Sequence, residues 1–177
     1  MAYNYPRNLV FLASLPASNS ATISFTSDIT TNFSTYYVSM RNIIPASNNV
    51  TLNLLFSTNN GSGYLATNYL YTHNEIISPG TLTSTGNTST TASILSIALN
   101  NSSSSGLSGD MYIYNMDVAL AAYYKGMACY FDTNSLFHAT RFSGGNSGTT
   151  AVNAIQFLMS SGNITSGTFI LYGVVEP

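Results

Sequence analysis

The stretch Val50-Thr51-Leu52-Asn53-Leu54-Leu55-Phe56 decides the fold class. Its apolar residues Val50, Leu52, Leu54 and Phe56 stand at every second position. In an extended chain, residues two apart lie on the same face. An amphipathic helix would instead repeat its apolar residues every three or four positions. The stretch therefore predicts a β-strand with one buried face.

Similar runs of strand-forming residues continue on both sides of this stretch. They cover residues 22–25, 36–44, 64–71, 92–99, 111–114, 135–142, 151–159 and 166–174. Turn-forming sequences rich in Gly, Asn, Ser and Pro separate them, such as Asn59–Gly63 and Ser78–Gly80. About nine or ten short strands joined by such turns are typical of an all-β antiparallel sandwich or barrel. The polar, low-complexity segment 81–91 is interpreted as a surface loop.

The segment from Asn115 to Gly126 has two interpretations. In the first, Asn115 caps a helix, Asp117 favours its N-terminal dipole, and Lys125 followed by Gly126 closes it. In the second, a loop leads into a strand that runs through Tyr130. Local helix propensity alone favours the first interpretation.

The composition limits the function classes that need to be considered. The chain has 177 residues, which suits one domain, and only 6% of them are charged. Its 26 Ser, 21 Thr and 20 Asn must supply most of the polar surface. Four basic residues are too few to neutralise a run of phosphates or to bind an anionic membrane surface. No apolar run approaches the ~18 residues of a membrane-spanning helix, and residues 9–15 do not form a signal peptide.

Few residues offer catalytic chemistry. His73 and Glu75 share a face of the predicted strand and could form an acid–base or metal pair, although chance at a strand end gives the same spacing. We interpret His138 as a hydrogen-bonded structural residue and Cys129, the single cysteine, as a buried inert thiol. Asp132-Thr133-Asn134 is a weak oxygen cluster for calcium. The sequence therefore predicts a protein that is not an enzyme, with no cofactor and no catalytic or metal-binding residues.

The tyrosines form a compositional bias of their own. The chain has 13 Tyr and no Trp, including the pairs Tyr36-Tyr37 and Tyr123-Tyr124. Such residues could stack on sugars or contact another protein. Strands also favour Tyr because it has one apolar and one polar end, and this second interpretation is preferred here.

Three stretches resemble a known protein family. They are Phe11 to Thr26, Asn42 to Val50 and, most distinctively, Ala151 to Gly173, which contains Ser161-Gly162-Asn163-Ile164 and ends in Leu171-Tyr172-Gly173. Together they resemble small virion structural proteins of tailed phages, particularly marine and cyanobacterial ones. The resemblance covers about residues 11–174 but is poor over Thr81 to Gly109. It also favours a turn at Asn115 to Val118 followed by a strand to about Phe131.

The resemblance implies a jelly-roll-like β-domain on the particle surface and no catalytic residues. We expect an extended arm at residues 1–10 and a single jelly-roll-like domain at residues 11–177. The expected function is a capsid decoration or cement protein that stabilises the shell. The alternative is a receptor- or carbohydrate-binding tip of a tail or capsid fibre, which would use exposed tyrosines and the loops Asn59–Gly63 or Gly144–Gly148.

The same resemblance sets the expected partners. They are the major capsid protein and further copies of the chain in a homotrimer, with a host surface glycan as an additional candidate and no nucleic acid or membrane. The expected location is the virion surface, after synthesis in the host cytoplasm. Candidate assembly contacts in the arm are Tyr3, Tyr5, Pro6 and Arg7.

Overall fold

A computed structural model describes residues 8–175 of the chain. These residues form twelve β-strands and, within that range, no helix. The strands are β1 (Asn8–Ser20), β2 (Thr22–Phe25), β3 (Thr35–Pro45), β4 (Leu52–Ser57), β5 (Tyr69–Ile77), β6 (Thr81–Thr90), β7 (Ser93–Ile94), β8 (Leu107–Tyr114), β9 (Ala122–Phe131), β10 (Phe137–Asn146), β11 (Ala154–Met159) and β12 (Ile164–Val175). The predicted all-β antiparallel sandwich is confirmed, with two or three more strands than expected.

The strands form two antiparallel sheets. The large sheet has the order β1-β12-β3-β8-β9-β10-β5-β6, and the small sheet has the order β2-β11-β4-β7. The rings of Phe157 in the small sheet and Phe169 in the large one stack with centroids 4.7 Å apart. Both side chains are fully buried. The hydrophobic core therefore lies between the two sheets, as in a sandwich.

Eight of the strands have jelly-roll topology. Strands β1, β2, β3, β4, β7, β8, β11 and β12 pair first with last, second with second-last, and so on inward: β1 with β12, β2 with β11, β3 with β8, and β4 with β7. This is the pairing of one long hairpin rolled into two facing sheets. The predicted jelly-roll-like fold is thus confirmed in its strand order.

The remaining four strands are insertions that widen the large sheet. The hairpin β5–β6 follows β4, and the hairpin β9–β10 follows β8. They add side by side to the edge at β8, so that the large sheet has twice as many strands as the small one. Segment 93–99 covers part of their inner face with Ser93, Leu95 and Ser96, which are completely buried.

The chain between Asn115 and Phe131 follows the second of the two sequence interpretations. The residues around Asn115 and Asp117 form a turn, both with positive φ, and β9 then runs from Ala122 to Phe131. Burial alternates along β9, with Tyr124 and Tyr130 inside and Tyr123 outside. Tertiary packing of this alternating pattern therefore outweighs the local helix propensity.

Two sequence expectations about strands are wrong. Residues 81–90, predicted as a loop, form the edge strand β6, whose described side chains are mostly exposed on both faces. Because neither face is buried, the sequence carries no apolar alternation that could mark it. The run 92–99 contains only the two-residue strand β7. Most of it instead forms the irregular cover over the inserted strands.

Residues 8–10 of the predicted arm belong to the large sheet. Asn8, Leu9 and Val10 already pair with Val175, Val174 and Gly173 in the large sheet. The candidate contacts Tyr3, Tyr5, Pro6 and Arg7 lie outside the described residues. Within the described part of the chain, no helix is long and apolar enough to cross a membrane.

Candidate functional site

A buried polar network lies under the inserted strands. Alternation along β5 places His73 and Glu75 on the same inner face, as predicted from their spacing. The pairing of β5 with β10, and of β10 with β9, brings polar residues of all three strands together. The network comprises His73, Glu75, Tyr130, Asp132, His138 and Thr140, each at most 6% exposed.

Glu75 is the centre of this network. Its Oε1 accepts hydrogen bonds from the hydroxyls of Tyr130, at 3.1 Å, and Thr140, at 3.0 Å. Its Oε2 lies 3.2 Å from Nδ1 of His138. The other ring nitrogen of His138 faces Oδ2 of Asp132 at 3.4 Å. His138 is therefore the hydrogen-bonded residue that the sequence predicted, placed between two carboxylates.

The network also joins the inserted strands to segment 93–99. The backbone N–H of Ile97 donates to the Tyr130 hydroxyl at 3.2 Å. Nε2 of His73 contacts the carbonyl oxygen of Ile94. Since a carbonyl only accepts, Nε2 carries the proton and the Nδ1 that faces Glu75 at 3.9 Å is unprotonated in the neutral ring. Burial lowers the pKa of His73 and so favours this neutral form.

Asp132 holds the turn between β9 and β10. Its Oδ1 accepts the backbone N–H groups of Asn134 and Leu136, each at 2.8 Å. Burial acts to raise the pKa of Asp132, but these two N–H groups and His138 outweigh it and lower the pKa. One oxygen of the weak Asp132-Thr133-Asn134 cluster, Oδ1 of Asp132, is thus engaged in the turn. Among residues 8–175, no group of three or more His, Cys, Asp or Glu side chains could hold a metal ion.

This network links the inserted strands of the large sheet to segment 93–99, which contains the small-sheet strand β7. The network is closed to solvent, so the His73–Glu75 pair does not face a cleft that a substrate could enter. Most of its polar groups are hydrogen-bonded, although Nδ1 of His73 and Nε2 of His138 are buried without a hydrogen-bond partner among the described residues. Buried charged groups that are paired and hydrogen-bonded hold neighbouring strands in one register. The surfaces that could bind a ligand or a partner lie instead on the outer face of the large sheet.

The outer face of the large sheet carries a row of aromatic rings. Phe11, Tyr172, Tyr37 and Tyr112 stand opposite one another on β1, β12, β3 and β8. Successive ring centroids are 6.0, 5.9 and 5.1 Å apart, with the rings tilted or edge-to-face. Such contacts hold each ring in one orientation. Sequence analysis had not placed these tyrosines together, because the row depends on the register of four strands.

A groove of about 460 Å³ continues this row across the inserted strands. Its walls combine charged, amide and hydroxyl side chains with two aromatic rings, one methionine and one glycine: Asn74, Asp110, Tyr112, Lys125, Gly126, Met127, Arg141, Phe142 and Ser143. All three basic residues of the described chain, Arg41, Lys125 and Arg141, point to this outer face. In a chain with so few charges, this concentration marks the face as the main candidate for binding.

The same face carries an apolar patch at one end, formed by Ile76, Leu82, Phe131 and Phe137. Their side chains are between 39% and 72% exposed. Phe131 and Phe137 are directly paired, with ring centroids 5.5 Å apart, and Ile76 is directly paired with Leu82. Cys129 lies beside the patch, two residues from Phe131, and is exposed. The sequence interpretation of Cys129 as a buried thiol is therefore wrong, because alternation along β9 turns it outward.

Of the two loops proposed for sugar binding, one lies partly in a strand and the other uses polar groups for hydrogen bonds within its own turn. Gly144 to Asn146 belong to β10 rather than to a loop. In Asn59–Gly63, the Ser57 hydroxyl accepts the N–H groups of Asn59 and Gly61, and the Asn59 amide oxygen accepts that of Gly63. These polar groups stabilise the turn itself and are not free for a ligand.

Comparisons of the chain with protein-family models, curated proteins and solved structures found no match.

Proposed function

We propose that the protein is a structural component of a virus particle, a capsid decoration protein that binds its neighbours through the apolar patch. The observation that carries the proposal is this patch, in which four exposed apolar side chains, Ile76, Leu82, Phe131 and Phe137, lie beside one another on adjacent strands of the outer face. Exposed contiguous apolar groups mark protein–protein contacts. The resemblance to phage virion proteins indicates that the partners in this contact are other proteins of a virus particle.

The jelly roll and the low charge support the same function. The rigid two-sheet domain presents the wide outer face as a single surface. Copies with a net charge of only −2 repel one another weakly when they are crowded together. Many weak contacts on a symmetric shell add up through avidity, so no single contact needs to be tight. We extend the proposal to a homotrimer that contacts the major capsid protein, because closed symmetry buries such a patch in every copy.

The patch is tested by following the accessibility of Cys129. In the isolated monomer, a thiol reagent should modify Cys129 readily, and in the assembled oligomer or particle the neighbouring patch should protect it. The double variant Ile76→Asn/Phe131→Ser should remain monomeric in light scattering and keep Cys129 reactive. Leu70→Asn is a matched control, because Leu70 is an exposed apolar residue of the same strand outside the patch.

The location is tested by reconstruction of the parent particle. Density of this chain at capsomer junctions would support a decoration protein. Density confined to a tail or fibre would contradict it, even if the patch mediates self-association. An oligomer unaffected by the double patch variant would contradict the role of the patch.

A further inference from the structure

We infer that the groove between β8 and β5 binds a carboxylate-bearing saccharide, such as a uronic acid residue of a surface glycan. This inference is independent of the particle location proposed above. It rests on the arrangement of three charges around one strand and on the hydroxyl-binding groups beside them.

The register of the sheet fixes this arrangement. Asp110 on β8, Met127 on β9 and Arg141 on β10 stand directly opposite one another in one row. Because neighbouring strands lie about 4.8 Å apart, Asp110 and Arg141 are separated by roughly 10 Å. Met127, which is 55% exposed, stands between them. In the described chain the two charges accordingly form no ion pair, although they lie on one surface.

Lys125 adds a second positive charge to the same groove. It precedes Met127 by two residues on β9 and is therefore a diagonal neighbour of Arg141. Its ammonium group lies 5.5 Å from the centroid of the Tyr114 ring, which stacks on the groove residue Tyr112 with ring centroids 6.4 Å apart. Two cations on adjacent strands suit a carboxylate, which can accept from both.

Asp110 favours a saccharide over an acidic peptide. An acidic peptide would bring further carboxylates towards Asp110, whereas a sugar offers hydroxyl groups that donate to it. Partial burial in the groove raises the pKa of Asp110, so the carboxyl lacks full hydration and gains from such donors. Asn74 and Ser143 provide further polar groups, and Tyr112 provides an aromatic ring on which the apolar face of a sugar can pack.

The two cations of the groove lie away from the apolar patch, although the groove residue Asn74 is only two residues from Ile76 on β5. Lys125 lies six residues from Phe131 along β9, which corresponds to about 20 Å of extended chain. Arg141 lies four residues from Phe137 along β10, or roughly 13 Å. A partner on the patch at one end of these strands therefore leaves space for a ligand further along them.

The experiment measures binding of trigalacturonate by calorimetry or by NMR chemical shifts, with maltotriose as the neutral sugar and triglutamate as the acidic peptide. We expect saturable binding of trigalacturonate alone, weakened by added salt. Arg141→Gln should lower the affinity at least about tenfold, since it removes charge-assisted hydrogen bonds. Arg41→Gln is the matched control, because Arg41 lies on the same face outside the groove.

Asp110→Asn separates the two ligand classes. With a saccharide, the variant should bind methyl glucuronide, which carries one carboxylate and several hydroxyl groups, more weakly, because a strong acceptor for the hydroxyl groups is lost. With an acidic peptide as the true ligand, triglutamate should bind, and more tightly to the variant, because a repelling charge is removed. No saturable binding of trigalacturonate at millimolar concentration, equal binding of maltotriose, or equal losses in Arg141→Gln and Arg41→Gln would overturn the inference. Thermal unfolding of each variant confirms that it is folded.

Discussion

The phenol ring of Tyr130 stacks on the imidazole of His138, with centroids 4.8 Å apart and planes within 15° of parallel. The two residues are directly paired on β9 and β10, and both contact the carboxylate of Glu75 on β5. One carboxylate thus joins three of the four inserted strands. These three strands carry most of the binding groove and three of the four residues of the apolar patch, the fourth being Leu82 on β6. We therefore expect the stability of the groove and of the apolar patch to depend on Glu75, a buried residue that belongs to neither surface.

Replacing Glu75 should destabilise the protein strongly. Glu75→Ala leaves the Tyr130 and Thr140 hydroxyls and His138 without their acceptor in the interior, which should cost about 3 kcal/mol of unfolding free energy. Glu75→Gln should cost less, because the amide oxygen still accepts. The measurement is urea unfolding at neutral pH.

Thr72→Ala is the control for these variants. Thr72 lies on the same strand but points outward, so its loss should change stability by less than about 0.5 kcal/mol. A Glu75→Ala protein as stable as the Thr72→Ala control would contradict the role of the network.

His73 should make the protein less stable in mild acid. Burial lowers its pKa below the ordinary 6.5, so the unfolded chain binds a proton that the folded protein does not. The stability from this residue is complete above about pH 6.5 and is lost as the pH falls below it, with a slope of at most about 1.4 kcal/mol per pH unit. The lowered pKa of Asp132 adds a further loss at lower pH, below its ordinary 3.8.

The His73→Gln variant isolates this effect. Gln keeps a donor for the Ile94 carbonyl but does not titrate. The variant should therefore show a flatter dependence of unfolding free energy on pH between 7 and 5 than the unmodified protein. Identical slopes would assign the acid sensitivity to another group.

The hydroxyl of Tyr69 should be needed as the hydrogen-bond acceptor of a buried backbone N–H group. The Tyr69 hydroxyl accepts the N–H of Phe56 at 2.7 Å, and both residues are fully buried. Tyr69→Phe leaves this N–H without an acceptor and should cost about 2 kcal/mol. Tyr71→Phe is the control on the same strand, because Tyr71 is only partly buried.

Burial should also delay the ionisation of Tyr69. It raises the pKa of this phenol to about 12, although the Phe56 N–H acts in the opposite direction. Tyr130 and Tyr124 are shifted in the same direction. An alkaline titration followed by ultraviolet absorbance should therefore show a fraction of tyrosines that ionises only near pH 12 or on unfolding. Ionisation of all tyrosines in one step near pH 10 would contradict the buried positions.

The fold could be predicted where one face of a strand is buried. The alternation of Val50 to Phe56 and of Thr22 to Phe25 identified strands because every second side chain enters the core. The edge strands β1 and β6 were missed for the opposite reason. β6 is exposed on both faces, and β1 contains Pro16 and a register shift after Phe11, so neither shows a regular period.

The candidate sites depend on registers that a sequence does not carry. The spacing of His73 and Glu75 predicted a shared face, but their meeting with His138 depends on the pairing of β5 with β10. Likewise, Asp110 and Arg141 lie 31 positions apart in the chain and share a row only through β9. The outward orientation of Cys129 follows from the same strand register. Local sequence patterns therefore revealed the faces of single strands and not the surfaces that several strands build.

The N-terminal residues allow a separate test of assembly. Because β1 begins at Asn8, deletion of residues 1–7 leaves every pair of the β1–β12 ladder intact. Deletion of residues 1–10 would also remove the pairs of Asn8, Leu9 and Val10 and would confuse folding with binding. We expect the shorter deletion to keep the thermal unfolding temperature unchanged and to weaken attachment to the shell, because Tyr3, Tyr5, Pro6 and Arg7 are the predicted contacts. Co-sedimentation with shells lacking the protein measures this attachment, and undiminished binding would leave the apolar patch as the contact instead.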